Sequence, residues 1–189
     1  YKDMRAHREG FVQIATAVKH YADLNVHIWK TPGSKDAFAK NGKEITEAVA
    51  NTILTKPDEA WLVVSHKPGP LVKDIQAQVR AFLPGLVNVN VAFLTFGNHM
   101  ATNDHSDVPN VILAGQLFAP TSHYAALTHA SQDRPTADGL VSQAEMEATR
   151  RGELADTTLQ AIARGSCRKS IGSKAAPMDA YIIATAQSG

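Results

Sequence analysis

The sequence predicts an α/β fold with a mostly parallel sheet and helices on both of its faces, and three observations lead there. Ala60-Trp-Leu-Val-Val-Ser-His66 is a continuous apolar run with β-branched residues, the pattern of a strand buried on both faces. Segments with apolar residues at a 3.6-residue period separate such runs along the chain. Strands and helices therefore alternate, which is how a parallel sheet is connected and covered.

In chain order, Met4 to Tyr21 is predicted helical, with Phe11, Ile14, Ala15 and Val18 on one face. Val26–Trp29 is a short strand, Thr31-Pro-Gly-Ser34 a turn, and Lys35 to Gly42 a polar loop. A helix follows from Lys43 to Thr55, and Pro57 stops it. After the strand at 60–66 and the loop Lys67-Pro-Gly-Pro70, Leu71 to Leu83 is a helix ended by Pro84-Gly85. Strands are expected at Val87–Phe96 and Val111–Gln116, and a helix at Ser122–Ser131 with Thr121 or Ser122 as its cap. Gln132 to Gly139 is a loop. Ser142-Gln-Ala-Glu145 has the form of a capping box opening a long helix. Gly172–Pro177 is expected to be loop and Ala180–Ala186 the last strand.

Composition sets bounds. At 189 residues the chain is long enough for one domain with a sizeable core. Its 44% hydrophobic and 20% charged residues are ordinary globular values. A net charge of +1 does not announce a nucleic-acid binder, so any such surface must be local. The single cysteine, Cys167, excludes an internal disulfide framework and fits a reducing cytoplasm. No apolar run approaches the roughly 20 residues of a membrane span, so no membrane partner is expected. A start at Tyr1 and an end at Gly189, directly after an apolar run, suggest a piece of a longer protein.

The stretch with most chemical content is Gln160-Ala-Ile-Ala-Arg164-Gly-Ser-Cys-Arg168-Lys169. If the preceding helix continues through it, Gln160, Arg164 and Arg168 share one face at i, i+4 and i+8. Arginine is a planar, permanently charged fork suited to phosphate. Ligands of open α/β sheets sit beyond the carboxyl ends of strands, so residues there carry functional weight. Ser65-His66-Lys67 offers a hydroxyl, an imidazole and an ammonium, which suit a phosphate backbone. The next strand is followed by Gly97 to Asp107, including Thr102, Asn103 and Asp107.

Taken in order, these segments resemble the later motifs of superfamily-two helicases, specifically the helicase-like proteins of phages and mobile elements. Ser65 to Lys67 is similar to motif four, and Thr102-Asn103 with Asp107 and Val111-Ile-Leu-Ala-Gly115 to motif five. Gln160 to Arg168 resembles motif six, Gln-x-x-Gly-Arg-x-x-Arg. Two departures stand in the last: Ala163 replaces the glycine, and Arg168 follows Arg164 by four residues instead of three. The resemblance covers about Ala60 to Ala186 and leaves the first fifty-five residues unmatched.

The resemblance implies a RecA-like three-layer sandwich over 56–189, with 1–55 as a helical or linker segment or as the first part of the domain. It implies that Arg164 and Arg168 act as fingers on ATP, that Gln160 and Asp107 contact the nucleotide, and that Ser65, His66, Lys67, Thr102 and Asn103 touch single-stranded DNA or RNA. ATP and Mg²⁺ would be held mainly by a first RecA-like domain of the same protein. This chain has no Gly-x-x-x-x-Gly-Lys-Ser/Thr loop. Asp58-Glu59 precedes a strand, whereas the magnesium-binding pair of such ATPases follows one, and it reads as an exposed turn. No cofactor is therefore expected in this chain alone, which should hydrolyse no ATP.

Competing readings are distinguishable. His99, Asp104, His105 and Asp107 could offer metal ligands, but their spacing matches no metal motif, and no metal is expected. A Rossmann-like enzyme would need Gly-x-Gly-x-x-Gly, and a hydrolase elbow Gly-x-Ser-x-Gly; neither occurs. Cys167 lies beside Arg164 and Arg168, which could lower its pKa, but no general base is assigned to it, so a nucleophile reading fails. A helicase-like domain kept as a non-catalytic interaction module is the first alternative, and an independent Rossmann-like enzyme the second.

Overall fold

The structure is a computed structural model that describes residues 19–83, 85, 89–98, 103–132, 135 and 139–185. The helix predicted over Met4–Tyr21 lies almost wholly outside them.

Five strands form one sheet: β1 (Leu24–Trp29), β2 (Trp61–Ser65), β3 (Val91–Thr95), β4 (Asn110–Ala114) and, last in the chain, β7 (Met178–Ile183). Their order is β1-β7-β4-β2-β3, and every pairing is parallel. A two-stranded hairpin, β5 (Ser170–Ile171) with β6 (Lys174–Ala175), stands apart from it. The helices are α1 (Lys35–Ile53), α2 (Ile75–Phe82), α3 (Thr121–Ser131) and α4 (Gln143–Ile162). No described helix is long and apolar enough to cross a membrane.

The sheet is buried on both faces, which is why β2 and β4 read as unbroken apolar runs. On one face, Phe38, Ile45, Val49 and Ile53 of α1 and Ile75 and Val79 of α2 pack on Trp61, Val63, Ile112 and Ile183. On the other, Ala161 and Ile162 of α4, with Cys167 and Ala175, pack on Leu62, Val64, Val111, Leu113, Ala180 and Ile182. This is the predicted α/β architecture, an all-parallel sheet between two layers, consistent with a RecA-like sandwich. Residues 24–53 are built into it: β1 pairs with β7 over its whole length, and α1 supplies part of the core.

Local chemistry explains where elements begin. Ser34 caps α1 by accepting from the Ala37 amide at 3.2 Å, so the polar stretch Lys35–Gly42, expected as a loop, is helical. Ala37 and Phe38 fasten it to the core, and Asn41 (φ −121°, ψ 19°) marks a kink. Asp74 caps α2 at Ile75, four residues later than predicted. Pro120 takes the cap position of α3 without a side-chain bond, in place of Thr121 or Ser122. The capping box of α4 is present: Ser142 Oγ accepts from the Glu145 amide, and the Glu145 carboxylate accepts from the Ser142 amide. The stretch Gly172–Pro177, expected as loop, contains β6.

Candidate functional site

At the carboxyl end of β2, Ser65 and His66 are buried, with 4% and 1% of their surfaces exposed. His66 Nε2 lies 2.8 Å from the Gly33 carbonyl oxygen. A carbonyl only accepts, so Nε2 carries the proton and Nδ1 keeps its lone pair. The ring meets Phe38 edge-on at 5.3 Å and Phe96 at 5.5 Å. Burial lowers the pKa of His66, more than the Gly33 bond raises it, and the Lys35 charge lowers it further. The ring is therefore neutral at neutral pH. Of the predicted trio Ser65, His66 and Lys67, only Lys67 is exposed.

Two glycines make this packing feasible. A Cβ on Gly115 would stand 2.6 Å from His66 Nε2, and Gly115 has φ +125°, a conformation open to glycine. A Cβ on Gly33 would meet the Ile183 carbonyl oxygen at 3.0 Å and the Gly115 Cα at 3.2 Å. The Gly33 carbonyl also accepts from the Gln116 amide at 2.8 Å. The sequence marks Gly33 only as part of a turn, Gly115 only as the end of the motif-five segment, and Gln116 only as a strand end, none of them as a neighbour of His66. A glycine directly after a strand was the available signal.

The second group lies at the other end of the sheet. Helix α4 stops at Ile162 with Ala163 as its C-cap. The chain then turns through a short 3₁₀ segment, Ser166–Arg168. The predicted helical face of Gln160, Arg164 and Arg168 is therefore not formed. What ends the helix is tertiary: the Ser166 amide donates to the Val108 carbonyl at 2.9 Å, and Ser166 Oγ donates to the Pro177 carbonyl at 2.6 Å. Gly165 is wedged so tightly that a Cβ would lie 2.6 Å from Val111 Cγ2 and 3.0 Å from the Val108 oxygen. Val111 and Met178 are at the amino ends of β4 and β7, which fixes the turn there.

The turn nevertheless gathers several predicted residues. Arg164 Nη1 stands 3.5 Å from Asn103 Oδ1. The pKa of Arg164 is lowered, first by burial and then by the charge of Arg168. Lys169 forms an ion pair with Asp107, whose carboxylate is exposed. Gln160 is engaged within its own helix, donating to Asp156 Oδ2 at 2.7 Å. Thr102 lies outside the described residues, as does His99. Ser65 pairs with Ala114, four residues along β4 from Asn110, so the two groups are about 13 Å apart along the strand axis.

No group of three metal-binding side chains occurs among the described residues. The Cys167 thiol is buried, and burial pushes its pKa up against the opposing charge of Lys19. Desolvation thus outweighs the nearby positive charge that could have lowered it.

No protein-family model matches the chain, and no curated protein matches it. One solved chain, titled "XPD_APO", is similar at 13% identity with a TM-score of 0.48 over 88% of this chain. This chain spans 36% of the length of that one.

Proposed function

We propose that this chain is the second RecA-like domain of an ATP-dependent nucleic-acid helicase or translocase. In this reading Arg164 and Arg168 reach phosphate charge across a cleft to a first domain, which holds ATP and Mg²⁺. The observation that carries the reading is that one turn, fixed by Gly165 and Ser166, carries both arginines and sets Arg164 Nη1 3.5 Å from Asn103 Oδ1. A guanidinium is a planar, permanently charged fork that matches phosphate geometry. Bound ATP would supply the phosphate charge, while the chain's own part is to hold the two guanidiniums in place. The turn does so through Ser166 and Gly165.

In this reading Asn103, beside Arg164, touches a single strand of DNA or RNA near the turn, while Lys67, exposed after β2, lies at the opposite end of the sheet. One observation favours the non-catalytic alternative: Gln160 and Asp107, the two residues proposed to contact nucleotide, already bond to Asp156 and Lys169.

The test is ATP turnover by the protein carrying both domains, wild type against Arg164→Ala, with single-stranded DNA and RNA present. Loss of turnover on the order of 10³, with nucleotide binding retained, is expected of a residue that stabilises developing phosphate charge. Unchanged turnover would refute the finger and leave the interaction module as the better account. The chain by itself is expected to hydrolyse no ATP.

A further inference from the structure

Strand β1 is at an edge of the sheet, and alternation along it sets Leu24, Val26 and Ile28 on one side, His27 and Trp29 on the other. Leu24 packs with the core layer that holds Ala161 and Ile162 of α4, whereas Trp29 packs with the layer of α1. Val26 and Ile28 therefore continue the α4 side of the sheet. Their register partners on β7, Ala180 and Ile182, are buried. Val26 and Ile28 themselves are 49% and 60% exposed. The α4 side is thus dry at β7 and wet one strand further out, along an apolar strip.

The chain reaches this strip from the same side. The His20 amide donates to the Ser173 carbonyl at 2.9 Å, the Ala175 amide donates to the His20 carbonyl at 2.7 Å, and Lys19 Nζ donates to the Arg168 carbonyl at 2.6 Å. Ala175 itself, and Cys167 next to Arg168, belong to the α4-side core. A turn at Ala22 and Asp23 then leads into β1. Eighteen residues precede Lys19. Among them Met4, Phe11, Ile14, Ala15 and Val18 share one face of a 3.6-residue period, with Glu9, Gln13 and Thr16 opposite. A helix over 4–18 would be about 22 Å long. The six residues of β1 span about 20 Å. Such a short helix, with Gly10 inside it, is marginal alone in water, so it needs a surface on which to bury Phe11, Ile14 and Val18.

We propose that residues 4–18 of this chain dock as an amphipathic helix on the strip of Leu24, Val26 and Ile28. The short connection through 19–23 turns the chain back on itself, so the helix runs antiparallel to β1. It extends the α4 layer over the edge strand, and its end is tied through Lys19 to the turn that bears Arg168. The inference is independent of the helicase reading.

Amide hydrogen exchange of the full 189-residue chain tests it. Amides of residues 11–18 are expected to exchange at least about tenfold more slowly than in a peptide of residues 1–18. Phe11→Asp on the segment, or Val26→Asp with Ile28→Asp on the strand, should abolish that slowing, and Ile28→Val should keep it. Slow exchange in β2 and β4 shows that a variant is folded. Should the strand variant lose it, Phe11→Asp alone decides. Exchange over 11–18 as fast as in the peptide, or slowing that survives the aspartate substitutions, overturns the proposal. Slowing that grows with protein concentration, together with a dimer in sedimentation, assigns the strip to a second copy of the chain and overturns it too.

Discussion

Gly115 leaves the space that His66 fills: a Cβ at that position would lie 2.6 Å from the imidazole Nε2 and 2.8 Å from its Cδ2. The ring could retreat only by giving up its bond to the Gly33 carbonyl or its packing on Phe38 and Phe96. Gly115→Ala is therefore expected to lower unfolding free energy by about 2–4 kcal/mol, combining positive-φ strain with overpacking. Gly69 has open space around it and no positive φ, so Gly69→Ala serves as the control and should leave the urea midpoint nearly unchanged.

His66 also sets a pH dependence. Its pKa is lowered in the fold, mainly by burial, so the unfolded chain takes up the proton first as pH falls. Its contribution to stability is complete above the ordinary histidine value of about 6.5 and is lost as pH falls from there toward the folded value. Urea unfolding between pH 7 and 5 is expected to show this decline in the wild type. In His66→Gln the decline over that window should be shallower.

At the opposite end of the sheet, Lys56 Nζ donates to Asp179 Oδ2 at 2.7 Å, and His27 lies 3.2 Å from Oδ1. The Lys56 bond is the largest cause holding the Asp179 carboxyl below its usual range. A lowered carboxyl pKa gives stability that is present above about pH 4 and lost as pH falls through the folded value. Lys56→Met should cost about 1 kcal/mol at neutral pH, since the pair is only partly buried. The difference from wild type should shrink in acid below pH 4. A cost that persists there would assign the effect to the lysine stem.

The Asp107–Lys169 pair separates folding from function, because the Asp107 side chain is 85% exposed. Asp107→Asn is expected to leave the thermal midpoint where it is. In a protein that also carries the proposed first domain, the same variant should reduce ATP turnover if Asp107 contacts nucleotide. Normal turnover would make the pair a surface feature alone.

What could be read in the sequence depended on whether a signal was local. The buried strand at Trp61–Ser65 announces itself by composition, and the Ser142–Glu145 box by its spacing. The first turns of α1 did not, because Lys35, Asp36, Lys40 and Asn41 look like loop, and only Ser34 and the two buried residues Ala37 and Phe38 say otherwise. The end of α4 was hidden for the opposite reason. The apparent period runs on through Arg164 and Arg168, whereas the stop comes from a bond to Val108, some sixty residues away in the chain. Ser65 and His66 looked like a polar strand end; their burial depends on Gly33 and Gly115, which only the folded sheet brings next to them.

The turn bearing Arg164 and Arg168 is tied to residues that lead directly into β4 and β7: Val108 before one, Pro177 before the other. Both strands are interior to the sheet. A force applied at the guanidiniums is thus delivered along the strand axes at the middle of the sheet. There it acts as shear, which must strain several ladder hydrogen bonds together instead of opening them one by one. Helix α4, by contrast, buries only Leu154, Ala161 and Ile162 along its 20 residues. Helix α3, which buries only Tyr124 and Thr128 and is bonded to α4 through Thr128 and Thr149, shares that light anchoring.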